Sequence, residues 1–114
     1  MLPKIKRVEF RNVHIDDGIY TDNDVLLLPH GVEVVEPSHN ISAKDFKKMM
    51  LHEPEIAILG MGFRGKLKIS PDILDAAKKQ KVELITLPTP DAAKKFHELA
   101  RKGKKVVAKL HITC

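Results

Sequence analysis

Three glycines, Gly60, Gly62 and Gly65, follow the apolar run Ile56 to Leu59. Their spacing is GxGxxG, the pattern with which some strand–helix units hold a dinucleotide. That chemistry needs the glycines to open a helix directly, so that its first amides meet the pyrophosphate. Here Lys66 to Ile69 stands between the glycines and the next helix start at Ser70. It also needs an acid at the end of the following strand. This chain has Leu87-Pro88 there, and Glu83 lies near that strand's beginning. The context argues against a dinucleotide, and no cofactor is expected.

A narrower reading keeps the loop as a site for a small anion. Arg64 sits within it, and in a parallel sheet the helix starts at Ser70 and Thr89 lie at the same strand ends. Helix N-termini attract anions through unpaired amides and the macrodipole. Local capping opposes a strong site. Pro71 and Pro90 each remove an amide donor, Ser70 and Thr89 can cap another, and Asp72 and Asp91 place negative charge where the anion would go. Gly60, Gly62, Arg64 and Thr89 are the candidate ligand-binding residues.

No other constellation carries chemistry. The histidines are His14, His30, His39, His52, His97 and His111. Only His111 and Cys114 are close in sequence, and such a pair is a poor metal site. A Cys/His nucleophile would need Cys114 buried and activated, and a free thiol is the simpler reading. The acids near helix starts read as capping groups. No catalytic set and no metal ligands are expected.

The elements that position these residues follow from periodicity. Ile5 to Phe10 alternates and reads as a strand, with Asn12 to Ile15 continuing it past a bend. Asp16-Asp17-Gly18 is a turn, and Tyr20 to Asn23 adds a second bend. Asp24 to Leu28 is a strand ended by Pro29, and Val32 to Val35 pairs back across His30-Gly31. The N-terminal third is thus expected to be a small antiparallel meander. Ser42 caps a helix, with Asp45 at the capping-box position and Ala43, Phe46, Met49 and Met50 on one face. Ile56 to Leu59 is apolar at every position, as in a strand covered on both sides.

A helix then starts at Ser70-Pro71-Asp72, with Ile73, Leu74 and Ala77 on its apolar face. A strand at Val82 to Leu87 follows. The next helix starts at Thr89-Pro90-Asp91, carries the stripe Ala92, Ala93, Phe96, Leu99 and Ala100, and ends at Gly103. Val106 to Ile112 is the last strand, with Ala108, Leu110 and Ile112 on one face and Lys109, His111 and Thr113 on the other. From Glu55 onward the order β-α-β-α-β favours a locally parallel sheet. The direction of the last strand stays open, because its connection is tight.

Composition sets the outer limits. At 114 residues the chain is expected to be one domain, residues 1–114. Hydrophobic residues make up 43% and charged residues 31%, a globular balance. No apolar run approaches the roughly 20 residues of a membrane-spanning helix. The N-terminus lacks a signal-peptide core, and the one cysteine excludes an internal disulfide. A cytoplasmic location is the expectation. The net charge of +5 comes from Lys-rich segments, most of them on the polar faces of helices. Nucleic-acid binding through a Lys-rich face is a weaker alternative, because the chain has no Trp, one Tyr and four Phe for base stacking. Abundant Lys and Glu would also suit a thermophile.

Several stretches together carry a family resemblance. They are Glu55 to Gly62, Ser70-Pro71, Thr89-Pro90-Asp91-Ala92, Phe96 to Val107, and His39-x-Ile41-Ser42-x-x-Asp45-Phe46. In order and spacing, over nearly the whole chain, this resembles the Mth938-like family of small archaeal and bacterial proteins of unknown function. Its relatives include a mitochondrial complex I assembly factor and the adipogenesis-associated domain-containing protein. The matching positions are Gly60, Gly62, Thr89, Ala92, Leu99 and Gly103. Met61, His97 and Lys104 depart from residues common in the family. The resemblance implies a three-layer α/β fold, with a central mixed sheet, helices and a small N-terminal antiparallel β layer. It also implies an interaction or assembly role with a protein partner, without catalysis. A small anion in the Gly60–Arg64/Thr89 crevice is the alternative.

Overall fold

The computed structural model describes residues 3–16, 18–37, 43–65 and 67–112. Its element order is β1 (Ile5–Glu9), β2 (Asn12–Ile15), β3 (Gly18–Thr21), β4 (Asp24–Leu28), β5 (Gly31–Val35), α1 (Ala43–Met50), β6 (Ile56–Gly60), α2 (Pro71–Lys79), β7 (Glu83–Leu87), α3 (Thr89–Arg101) and β8 (Val106–Leu110). Strands β1-β2-β3 form a small antiparallel sheet, and β5-β4-β8-β6-β7 form a five-stranded mixed sheet. The chain is an α/β fold in three layers. Helices α1 and α2 cover one face of the large sheet, and α3 with the small sheet covers the other.

Alternation along the strands divides the core in two. Val25 and Leu27 of β4, Ile56 and Ile58 of β6, and Ala108 and Leu110 of β8 meet Phe96, Ala92 and Leu99 of α3. Leu26 and Leu28, Ala57 and Leu59, and Val107 meet Phe46 and Met49 of α1 and Ile73 and Ala77 of α2. Cover on both faces favours apolar residues on both, which is why Val25 to Leu28 of β4 and Ile56 to Leu59 of β6 read as continuous apolar runs. Phe46, Met49 and Met50 recur at helical spacing, so α1 buries one stripe.

The N-terminal third differs from the single meander expected from sequence. Only β1 to β3 form the small sheet, whereas the β4–β5 hairpin is the antiparallel edge of the large one. The all-apolar run Val25 to Leu28 gains cover on both faces only there. Asn12 to Ile15 is not a continuation of β1. It is a partner strand reversed at Phe10–Arg11, with Arg11 at φ 68. Residues expected to bend at Tyr20 and Thr21 are strand, and the bend falls at Asp22, at φ 59.

The direction of β8, open from sequence, is parallel to β6 and antiparallel to β4. It ends at Leu110 rather than Ile112. Gly103 stops α3 as expected, at φ +77. Its amide donates to the Ala100 carbonyl and that of Lys104 to the Leu99 carbonyl, which satisfies the helix's last acceptors. Ser70 holds the cap position of α2 in extended conformation, but its hydroxyl makes no capping bond. Ser42, His39, Lys66, Thr113 and Cys114, which carried sequence expectations, lie outside the described residues.

Candidate functional site

The polar groups of the interior gather at the carboxyl ends of β6 and β8. Gly60 closes β6, and its carbonyl accepts the His111 amide at 3.2 Å. Gly62 turns the chain at φ 90 and donates its amide to Thr89 Oγ1 at 3.0 Å. Thr89 Oγ1 in turn donates to the His111 carbonyl at 2.6 Å. One fully buried hydroxyl thus ties the β6 loop, the start of α3 and the end of β8. A Cβ on Gly60 would come within 3.1 Å of Thr89 Oγ1 and 3.3 Å of the Lys109 carbonyl, so glycine is what lets these backbones close.

Thr89 is therefore not the cap expected from sequence. Pro88 occupies the cap position, and Thr89 lies in the first turn of α3. Its side chain turns inward because two buried backbone groups need a partner more than a solvent-facing helix end does. Of the candidate ligand residues, Gly60, Gly62 and Thr89 meet in this junction, whereas Arg64 is exposed beside it. The loop amides are largely taken. That of Met61 reaches the Leu87 carbonyl, that of Gly65 the Gly62 carbonyl, and that of Leu67 the Met61 carbonyl.

A second group lies on the α1 side of the same strand ends, and no sequence signal had marked it as a site. Lys109 of β8, completely buried, places Nζ 3.0 Å from Asp45 Oδ2 of α1 and 3.7 Å from Asp24 Oδ2 of β4. His111 Nδ1 lies 2.8 and 2.9 Å from the two Asp24 oxygens. Asp24 and His111 are also buried, and Asp45 nearly so. Asp45, expected at a capping-box position, turns Oδ2 to the Lys109 ammonium. An alternating polar series such as Lys109, His111 reads as a solvent face. It is interior here because β8 is the central strand. The signal that could have exposed it is the β-α-β-α-β order, which seats β8 next to the fully apolar β6.

Chemically, a carboxylate against Nδ1 fixes the orientation of the imidazole, the arrangement that prepares a histidine for base or ligand work. A buried ammonium between two carboxylates compensates charge that the interior would otherwise reject. Asp45 connects the cluster to a cleft of about 530 Å³ between α1 and β5, lined by Val34, Val35, Glu36, Lys44 and Lys48. Lys48 bonds Glu33 at 2.8 Å, and that carboxylate holds its ammonium above the ordinary lysine value against a smaller opposing cost of burial. Among the described residues no group of three or more His, Cys, Asp or Glu could hold a metal ion. None of their helices is long and apolar enough to cross a membrane.

Residues 5–111 match the profile of a family described as protein of unknown function (DUF498/DUF598). The chain belongs to this family. Solved structures carry the same fold. The conserved hypothetical protein PH1505 of Pyrococcus horikoshii is 26% identical, with a TM-score of 0.82 over 97% of this chain and 99% of that one. An outer membrane protein of Bartonella henselae, 15% identical, superposes at 0.88 over 98% and 96%. A Bordetella pertussis protein described as an Mth938-like domain is 16% identical and superposes at 0.79 over 96% and 85%. The last two likenesses are of fold alone. Profile and neighbours agree with the Mth938-like family that the sequence resembles.

Proposed function

We propose that this DUF498/DUF598 protein works by binding a partner protein and not by catalysis. The observation that carries this reading is the state of its interior polar groups. Asp24, Asp45, Thr89, Lys109 and His111 are buried and bonded to one another or to backbone. Groups so engaged brace a fold, since turnover would have to break buried, charge-assisted bonds. The assembly roles implied by the family resemblance point the same way.

Native mass spectrometry of the gently purified protein, with Asp45→Asn beside it, tests the reading. A defined protein complex, retained by the folded variant, is expected. A reproducible small-molecule adduct that vanishes in Asp45→Asn would overturn it in favour of a ligand site.

The second reading is a small anion at the Gly60–Arg64 loop. It is favoured by the exposed Arg64 between two glycines of left-handed backbone at a strand's carboxyl end, where crevices commonly bind ligands. Phosphate and sulfate should then raise the melting temperature of the wild type and not that of Arg64→Ala. No shift with either anion would remove this reading.

A further inference from the structure

On the face opposite the buried ion cluster, a groove runs between β1 and α3. Two adjoining clefts, of about 220 and about 550 Å³, make it up, and both are lined by Ile5 and His97. The first adds Lys6, Arg7 and Lys94, and the second adds Lys4 and Arg101. Among the described residues no Asp or Glu lines either one. Arg7 pairs with Glu9 at 2.8 Å, and the Asp16 carboxylate accepts the Lys4 backbone amide rather than its ammonium. Glu98, the acid nearest in sequence to His97 on α3, faces Lys95 and Lys102. No ion pair joins Lys4, Lys94 or Arg101 to a described carboxylate. The positive charge along this groove is thus concentrated and, at these three residues, not paired with any described carboxylate.

The floor is apolar and closed. Ile5, Val8, Pro90 and Ala93 supply it, and His97 holds it together. His97 Nε2 lies 3.0 Å from both the amide and the carbonyl of Ile5. In either tautomer that nitrogen bonds one of the two groups while the ring covers the outward edge of β1 at Ile5, so a ligand enters by its side chains and not by adding a strand there. Among the described residues no Phe, Tyr or Trp lines either cleft, so nucleic-acid bases lack a stacking platform.

We propose that this groove is the docking site for an acidic segment of a partner protein, with Glu or Asp side chains on the cationic rims and aliphatic side chains on the floor. Charge complementarity is the argument: an apolar floor flanked by Lys4, Lys94 and Arg101 fits an acidic amphipathic peptide better than it fits water or a second copy of this basic chain. The proposal deepens the partner-binding function and rests on it.

The test is fluorescence anisotropy on the full chain, with a labelled peptide of alternating glutamate and leucine as the probe. Saturable binding at low salt that weakens as salt rises is expected. Lys94→Glu/Arg101→Glu should lose about tenfold or more in affinity, while Lys78→Glu/Lys79→Glu on α2 stays within about twofold. Lys94→Gln/Arg101→Gln should lose affinity in the same direction, so a folding defect in the charge reversal does not decide the matter. Equal losses in the α2 and α3 pairs, absence of saturable binding, or tighter binding of a single-stranded oligonucleotide would each overturn the groove. A groove that fails here leaves the native complex to be sought at another face, whereas a small-molecule adduct in its place defeats the underlying reading.

Discussion

The two faces of the large sheet are packed by different means. Toward α3 the interior is apolar throughout: Val25, Leu27, Ile58, Ala108 and Leu110 close on Phe96. Toward α1 the same strands carry Leu26, Leu59 and Val107, and then Asp24, Lys109 and His111 at one end. One strand, β8, serves both faces, giving Ala108 and Leu110 to the first and Lys109 to the second. The apolar face gains stability from area and tolerates modest reshaping. The ionic end gains little net free energy from its pairs, but losing one partner strands a charge in the interior. The difference teaches that burial alone does not mark a stabilising residue. What matters is what remains when the residue is removed.

The widest break in that comparison is Lys109→Ala. It leaves two carboxylates facing a void and should destabilise the protein by about 3–5 kcal/mol in a denaturant melt. Phe96→Ala on the other face should cost a similar amount, about 3–5 kcal/mol, through its cavity. The two then separate on rescue. Lys109→Met/Asp45→Leu should recover part of the Lys109→Ala loss, because an apolar pair replaces one stranded carboxylate while Asp24 keeps His111. A double variant no better than the single would mean that the ion pair itself is stabilising.

At the junction between the faces, Thr89→Val should cost about 2–3 kcal/mol by orphaning the Gly62 amide and the His111 carbonyl, and a melt checks it. Gly60→Ala should cost about 1–3 kcal/mol from overpacking against Thr89.

The smallest effect lies outside both cores, at Lys48–Glu33. The folded state holds the Lys48 ammonium above its ordinary value of 10.5, so the pair's stabilisation is complete below that pH. It disappears as pH climbs through the raised folded value. Lys48→Met should lower the neutral plateau of a pH–melting curve slightly and flatten its alkaline limb, because the contribution lost is the one present below the raised value.

Most of the fold is legible in the sequence because period and punctuation agree. The apolar Ile56 to Leu59, the stripe from Ala92 to Ala100 and the stop at Gly103 each state one structure at several levels. The N-terminal third misleads because its strands are short and their turns use Arg11 and Asp22 in left-handed backbone, where glycine or asparagine is the usual sign. Gly60, Gly62 and Thr89 stand out in the sequence as ligand candidates and Thr89 as a cap, whereas the hydroxyl's tie between the Gly62 amide and the His111 carbonyl is not legible there, because it needs β8 seated beside β6. The ion cluster is not visible, because Asp24, Asp45, Lys109 and His111 lie far apart in sequence, and each has an ordinary local role to play. Only the pairing of β8 between β4 and β6 brings them together.

That pairing also sets an order of assembly. The β4–β5 hairpin and the β6–β7 pair have no bond to each other, and β8, the latest strand in the sequence, lies between them. On a ribosome both halves must wait, each with an open strand edge, until residues 106–110 have left the exit tunnel. Contacts as distant as Val25 with Leu110 add a loop-closure cost that grows only with the logarithm of their separation. Until β8 is in place, the facing edges of β4 and β6 lack the partner that covers them in the sheet.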